Sequence, residues 1–230
     1  SSTGENMLTP SPREVWQTAS ATNHAFWVDM GAVVSFDSVY LGGSDIPAGA
    51  SWEIYTSPSI AGALTFVASG TFQLPGALGP RFQSVLFASA PVASRYILVN
   101  IGLTAARAIQ VGIAAVARRF DHPYAYGHGR PLIDTSRRVD LPDGGFGIEQ
   151  GVTKSGFRWR FIDLNDASRD ALWAIARDRG NSRPIIVIED GSVSPPPDAS
   201  VHYGLFDKFE AWERSDARGT QWVLSMTEWR

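Results

Sequence analysis

Between Trp16 and Phe120 the apolar residues come in short runs, and each run stops at glycine or proline. Ala25 to Met30 ends at Gly31, and Val33 to Leu41 ends at Gly42-Gly43. Trp52 to Thr56 alternates and stops at Ser57-Pro58. Leu64 to Ala68, Val85 to Ala88, Tyr96 to Ile101 and Ala108 to Val116 complete the series. A period of two belongs to strands, and runs this short cannot make helices of ordinary length. Turn signals at Pro47-Ala48-Gly49, Pro75-Gly76 and Gly79-Pro80 separate the later runs. About seven short strands at such spacing predict an antiparallel β-sandwich over 16–120. In the second run Phe36, Ser38 and Tyr40 share one parity and Asp37, Val39 and Leu41 the other. One face of that strand is expected to be mixed and the other apolar.

Composition narrows the chemistry. The chain has 230 residues, 44% hydrophobic and 19% charged, which suits a folded core and excludes global disorder. A net charge of −3 speaks against nucleic acid as a whole-surface partner. No apolar run of about 18 residues is present, so no membrane span is expected. Cysteine is absent, which excludes disulfides, thiolate metal sites and thiol nucleophiles together. The 20 basic residues include only two lysines, Lys154 and Lys208. Such an arginine excess suits planar interface contacts and also follows from a GC-rich gene. Ser1 to Asn6 lacks the basic and apolar blocks of a targeting signal. Pro10 and Pro12 make residues 1–15 read as an extended arm without a helix, either free or packed on a neighbouring subunit.

A second, β-rich region with one helix is expected over 121–230. It begins with an aromatic, Gly- and Pro-rich crossing segment that includes Tyr124 and Tyr126, candidate contacts to a neighbour. A hairpin turn is expected around Asp143-Gly144. From Phe157 to Phe161 the aromatics alternate with Arg158 and Arg160, placing an aromatic face inward and two candidate interface arginines outward. Asn165 or Asp166 caps a helix over 166–179 that Gly180 ends, with Leu172, Ile175 and Arg179 on one stripe and Ala171 and Ala176 alongside. Strands follow at 184–189, 201–206, 208–214 and 221–230, with Pro195-Pro196-Pro197 in an exposed loop.

Nothing in the chain carries a catalytic signature. Neither a Gly-x-Ser-x-Gly nor a His-Glu-x-x-His pattern occurs. His122 and His128, beside Asp121, lack further metal ligands, so no metal and no cofactor are expected. Asp29 and Glu53 form a glycosidase pair only if folding sets their carboxyl groups at the right separation. Asp29 otherwise accepts turn N–H bonds before Gly31. The protein is expected not to be an enzyme. Among the aromatics, Trp27 and Trp52 either fill the core or stack on a sugar ring.

Two resemblances join these elements. Phe26-Trp27-Val28-Asp29-Met30-Gly31 followed by Phe36-Asp37-Ser38-Val39-Tyr40-Leu41 resembles the framework of galactose-binding-like, discoidin-type β-sandwiches. Trp52 to Ser57, Ser94 to Val99 and Ile109 to Val116 resemble their later strands. Over nearly the whole chain, the arm Asn6 to Trp16 and the order strand, helix, Arg179-Gly180, strand, terminal strand are similar to tail-tip proteins of tailed phages. That resemblance implies a structural virion protein, made in the host cytoplasm and built into the tail tip. It would form a distal-tail or baseplate ring, with sixfold symmetry expected, and meet tail-tube, hub and tip proteins. The short sandwich loops and the triple-proline loop depart from that pattern. The alternative is a carbohydrate-binding adhesion module that contacts host surface glycans.

Overall fold

The computed structural model describes residues 4–60, 62–72, 82–125, 129–142, 144–189, 200–214 and 219–229, with backbone alone at 82–83 and 87–89. The expected contact Tyr126, His128, Asp143, the turn signals at 75–80 and the triple proline lie outside the described residues. The fold is mainly β and antiparallel, with one α-helix among the described residues. The chain divides into two compact units: Ser1–Arg119 with Val187–His202, and Phe120–Ile186 with Tyr203–Arg230.

In the first unit the strands are β1 (Trp16–Gln17), β2 (Ala21–Ser44), β3 (Ser51–Ser57), β4 (Thr65–Thr71), β5 (Phe82–Arg107), β6 (Gln110–Val111) and β7 (Ile113–Ala117). Five of them pair in the order β4-β3-β5-β2-β7, and β1 pairs with β6. The two runs expected on either side of Gly31 are one continuous strand, β2. Its register against β5 jumps between Asp29 and Val34, where Gly31 takes a φ of 75°. A glycine there tolerates the left-handed backbone and lets the long ribbon bend without ending. The second half of β5 lies between β3 and the first half of β2. The second half of β2 pairs with β7. Phe26, Trp52, Ile54, Ile97, Val99 and Ile101 from the former share one core with Phe36, Val39, Leu41 and Leu86 from the latter.

Phe36 to Leu41 is buried at every position, so the mixed face of this strand is covered as well as the mostly apolar one. Asp37 can be buried because Ser38 Oγ and the Arg119 amide donate to its carboxylate at 2.7 and 3.0 Å. The amino-terminal arm is not extended throughout: Gly4–Leu8 makes a 3-10 turn. Asn6 Nδ2 donates to the Val15 carbonyl at 2.9 Å, and Met7 enters the core of the same unit. One apolar side chain among polar residues is enough to anchor the turn once a pocket accepts it.

The second unit contains a hairpin, β9 (Arg137–Asp140) with β10 (Phe146–Glu149), turned at Gly144 with φ 84°. A larger sheet takes β8 (Leu132–Asp134), β11 (Thr153–Leu164), β12 (Ile185–Ile188), β13 (Val201–Phe209), β14 (Glu213–Arg214) and β15 (Thr220–Glu228). The order is β12-β13-β15-β11-β8, with β14 on β15. Phe157 and Trp159 face Met226 and Leu224 across the ladder, and all four are buried. Helix α1 spans Asp166–Arg179, with Asn165 Oδ1 accepting from the Ser168 amide at 2.8 Å and Gly180 closing it. Its buried residues are Leu172 and Ala176, a spacing of one turn. Ile175 is half-buried and Arg179 exposed, so the inward stripe is narrower than expected.

Candidate functional site

Strand register builds the most chemically distinctive surface of the first unit. On β2, Asn23, Ala25, Trp27 and Asp29 share a face, as do Gly102, Asn100, Leu98 and Tyr96 on β5 and Ser51, Glu53 and Tyr55 on β3. Pairing aligns them in rows. Thr71, Ser51, Gly102 and Asn23 form one row, and Ser69, Glu53, Asn100 and Ala25 the next. Phe66, Tyr55, Leu98 and Trp27 form the third. Two rows are therefore small or hydrogen-bonding, and the third is apolar and aromatic.

The polar rows form an open cleft of about 440 Å³, lined by Asn23, Ser51, Glu53, Asn100 and Gly102 among others. That volume is in the range of small-molecule sites. Gly102 lies at its floor, where a Cβ would come within 2.5 Å of Ser51 Oγ and turn that hydroxyl aside. Tyr55 donates its hydroxyl to Glu53 Oε2 at 2.9 Å, which fixes the carboxylate and pushes the phenol up from its ordinary pKa. Phe66 meets Tyr55 edge-on with ring centres 5.8 Å apart. His24, at the opposite parity, is buried with Nε2 3.1 Å from the Arg107 carbonyl, a structural contact.

At the far end of the face Asp29 is engaged twice. Arg95 donates to both carboxylate oxygens at 2.8 and 3.0 Å, and the Gly31 amide donates at 2.8 Å. The Arg95 guanidinium first, then the Gly31 amide, hold the Asp29 carboxyl below its ordinary range. Asp29 thus fills the turn-binding role, and its row is four residues from that of Glu53. Four residues of strand span about 13 Å, beyond the 5–9.5 Å that glycosidase carboxylate pairs use. The Asp29–Glu53 acid pair does not form.

Trp27 stands on the open face and is half-buried. Trp52 does not. It is only 5% exposed and belongs to the core, with its ring covering Gly70, so of its two expected roles it takes core packing and the candidate sugar contact there is corrected. Its parity is the reason: Trp52 precedes Glu53 and points through the other side of β3. In the second unit Arg158 Nη2 lies 3.4 Å from Glu210 Oε1, and Arg160 donates to Gln221 Oε1 at 2.6 Å. Both arginines are exposed and opposite the aromatic face, as expected. Tyr124 is half-buried, and the Ala125 amide beside it donates to the Arg160 carbonyl at 2.7 Å. Among the described residues no group of three or more His, Cys, Asp or Glu could hold a metal ion. No helix among them is long and apolar enough to cross a membrane.

Sequence reasoning missed Asn23, Ser51, Tyr55, Asn100 and Gly102 as a group. Their shared parity within each strand was readable, but the register that aligns three strands is not a local property.

Comparison with known proteins places the chain in no family, since no family model matches and no curated protein matches. Among solved structures, a GH29 fucosidase from Ruminococcus gnavus in complex with fucose is 16% identical with a TM-score of 0.40. That match covers 50% of this chain and 22% of the fucosidase. A mutant of the same enzyme with fucose gives 15% identity and a TM-score of 0.41. A fucolectin from striped bass (Morone saxatilis) serum is 11% identical with a TM-score of 0.36, covering 97% of this chain and 89% of that one.

Proposed function

We propose that the protein is a carbohydrate-binding protein that engages glycans on the open face of β3, β5 and β2, by binding and without turnover. The observation that carries this reading is the registered set of rows, hydrogen-bonding residues beside aromatic ones. A sugar ring has the matching division: hydroxyl groups around its edge and a C–H face. Glu53, Asn100, Asn23 and Ser51 supply acceptors and donors for the hydroxyls. Trp27 and Tyr55 supply ring faces for the C–H surface. Placing these residues on strands holds them rigidly, so little ordering is needed on binding. The test is a glycan array followed by calorimetry on the best ligand. Trp27→Ala and Asn100→Ala should each weaken binding by about tenfold, equivalent to about 1.4 kcal/mol. Unchanged affinity in both variants would remove the face from consideration.

A second reading, assembly into a phage-tail ring with neighbouring tail proteins, is supported by one observation. Hairpin β9–β10 exposes Val139, Phe146 and Ile148 by 51%, 52% and 69%. A two-stranded hairpin is marginal alone in water and gains most from a covering partner. Native mass spectrometry reads this directly, and a monomer at every concentration would end the ring reading.

A further inference from the structure

We infer that the cleft selects neutral hydroxylated rings and rejects acidic ones, with Glu53 as the residue that sets the choice. The inference rests on the carbohydrate-binding reading above and adds its ligand class. Among the described residues that line the cleft, Glu53 is the one acidic side chain and none is lysine or arginine. His24 also lines it, but its Nε2 is engaged at 3.1 Å by the Arg107 carbonyl. The arginines at the ends of these strands are occupied. Arg107 lies 3.1 Å from Asp45, and Arg95 lies 2.8 Å from Asp29. The described lining thus presents a carboxylate with no lysine or arginine beside it.

Tyr55 takes up part of one carboxylate oxygen and leaves the other, Oε1, to accept from a ligand hydroxyl. A hydroxyl bound to a carboxylate makes a charge-assisted hydrogen bond, stronger than one to a neutral acceptor. Asn100 stands directly across from Glu53. Cross-strand neighbours of this kind sit about 5 Å apart at Cβ, so the pair can meet two adjacent hydroxyls of one ring. With that edge held, the ring's C–H face turns to the row of Tyr55 and Trp27. A uronic or sialic acid in the same pose would bring a second carboxylate against Glu53 with no arginine to receive it. Like charges in a partly desolvated cleft repel, so the carboxylate acts as a filter as well as an acceptor.

The experiment compares a neutral glycan with its uronate counterpart by calorimetry, for the intact chain and for Glu53→Gln. The intact protein should bind the neutral sugar at least about tenfold more tightly. Glu53→Gln should weaken the neutral sugar and narrow the gap between the two to less than about threefold. A salt titration of the intact protein gives a reading independent of the variant: uronate binding should strengthen with salt while neutral binding stays level. Equal affinity of the intact protein for both sugars overturns the selectivity and leaves the sugar-binding face standing. Failure to bind either sugar, or any glycan on an array, overturns both.

Discussion

Two tryptophans in similar runs have opposite fates, and the difference is one of parity. Trp27 lies on the open face, whereas Trp52 fills the core at 5% exposure. Trp27→Ala should therefore cost ligand affinity and little stability. Trp52→Ala should cost about 3–5 kcal/mol in a denaturant melt, the range for an emptied aromatic site. A reversed order of the two would contradict the assignment of faces. Asp29 makes a second residue-scale prediction. Its carboxyl is held below the ordinary range by Arg95, so the folded state binds its proton less readily than the unfolded chain does. The stabilisation is complete above the ordinary carboxylate value of about 3.9 and is lost as pH falls through the lower folded value. NMR titration should give Asp29 a depressed midpoint, and Arg95→Ala should raise it. A midpoint that ignores Arg95 would remove the pair as its cause.

Elements add constraints that single residues do not carry. The 3-10 turn at Gly4–Leu8 is held through Met7, and the arm continues past Pro12, whose carbonyl approaches Gly112. A Cβ at Gly112 would lie 2.6 Å from that carbonyl, so Gly112→Ala should push the arm away and destabilise the unit by about 1–3 kcal/mol. Hydrogen exchange over residues 4–12 should rise in that variant; unchanged protection would mean that the arm docks some other way. Helix α1 depends on Asn165, and Asn165→Ala should cost about 1 kcal/mol. This element was legible from sequence because its cap, apolar spacing and closing glycine all lie within one short window. The narrowing of its inward stripe to Leu172 and Ala176 was not, because tertiary contact decides which turn of a helix is covered.

For the molecule as a whole, Tyr203 is expected to contribute to the alkaline limit of stability. Burial pushes its phenol up to about 12. The un-ionised form is the one the fold accepts, so the contribution is complete below the ordinary value of about 10. It is lost as pH rises from there through about 12. Tyr203→Phe should flatten the alkaline fall of the melting temperature; an unchanged alkaline limb would assign that fall to other groups. The two units also divide the functional questions between them: the first unit carries the polar and aromatic rows, and the second exposes hairpin β9–β10. Under the two proposed readings, separate substitutions should remove glycan binding and oligomer formation.

The alternating runs, their glycine and proline stops and the capped helix determined a mainly β chain with one helix, because each signal is local and acts within a few residues. Alternation also determined which side chains share a face, as with Phe157 and Trp159 against Arg158 and Arg160. Only the tertiary structure decided that Gly31 bends a strand without ending it, that Met7 is a core residue and that Trp52 points inward. It alone brought Asn23, Glu53 and Asn100 to one cleft. Their positions in the chain are 30 to 77 residues apart, and register between strands is fixed by the packing of whole faces, which no local stretch of sequence contains.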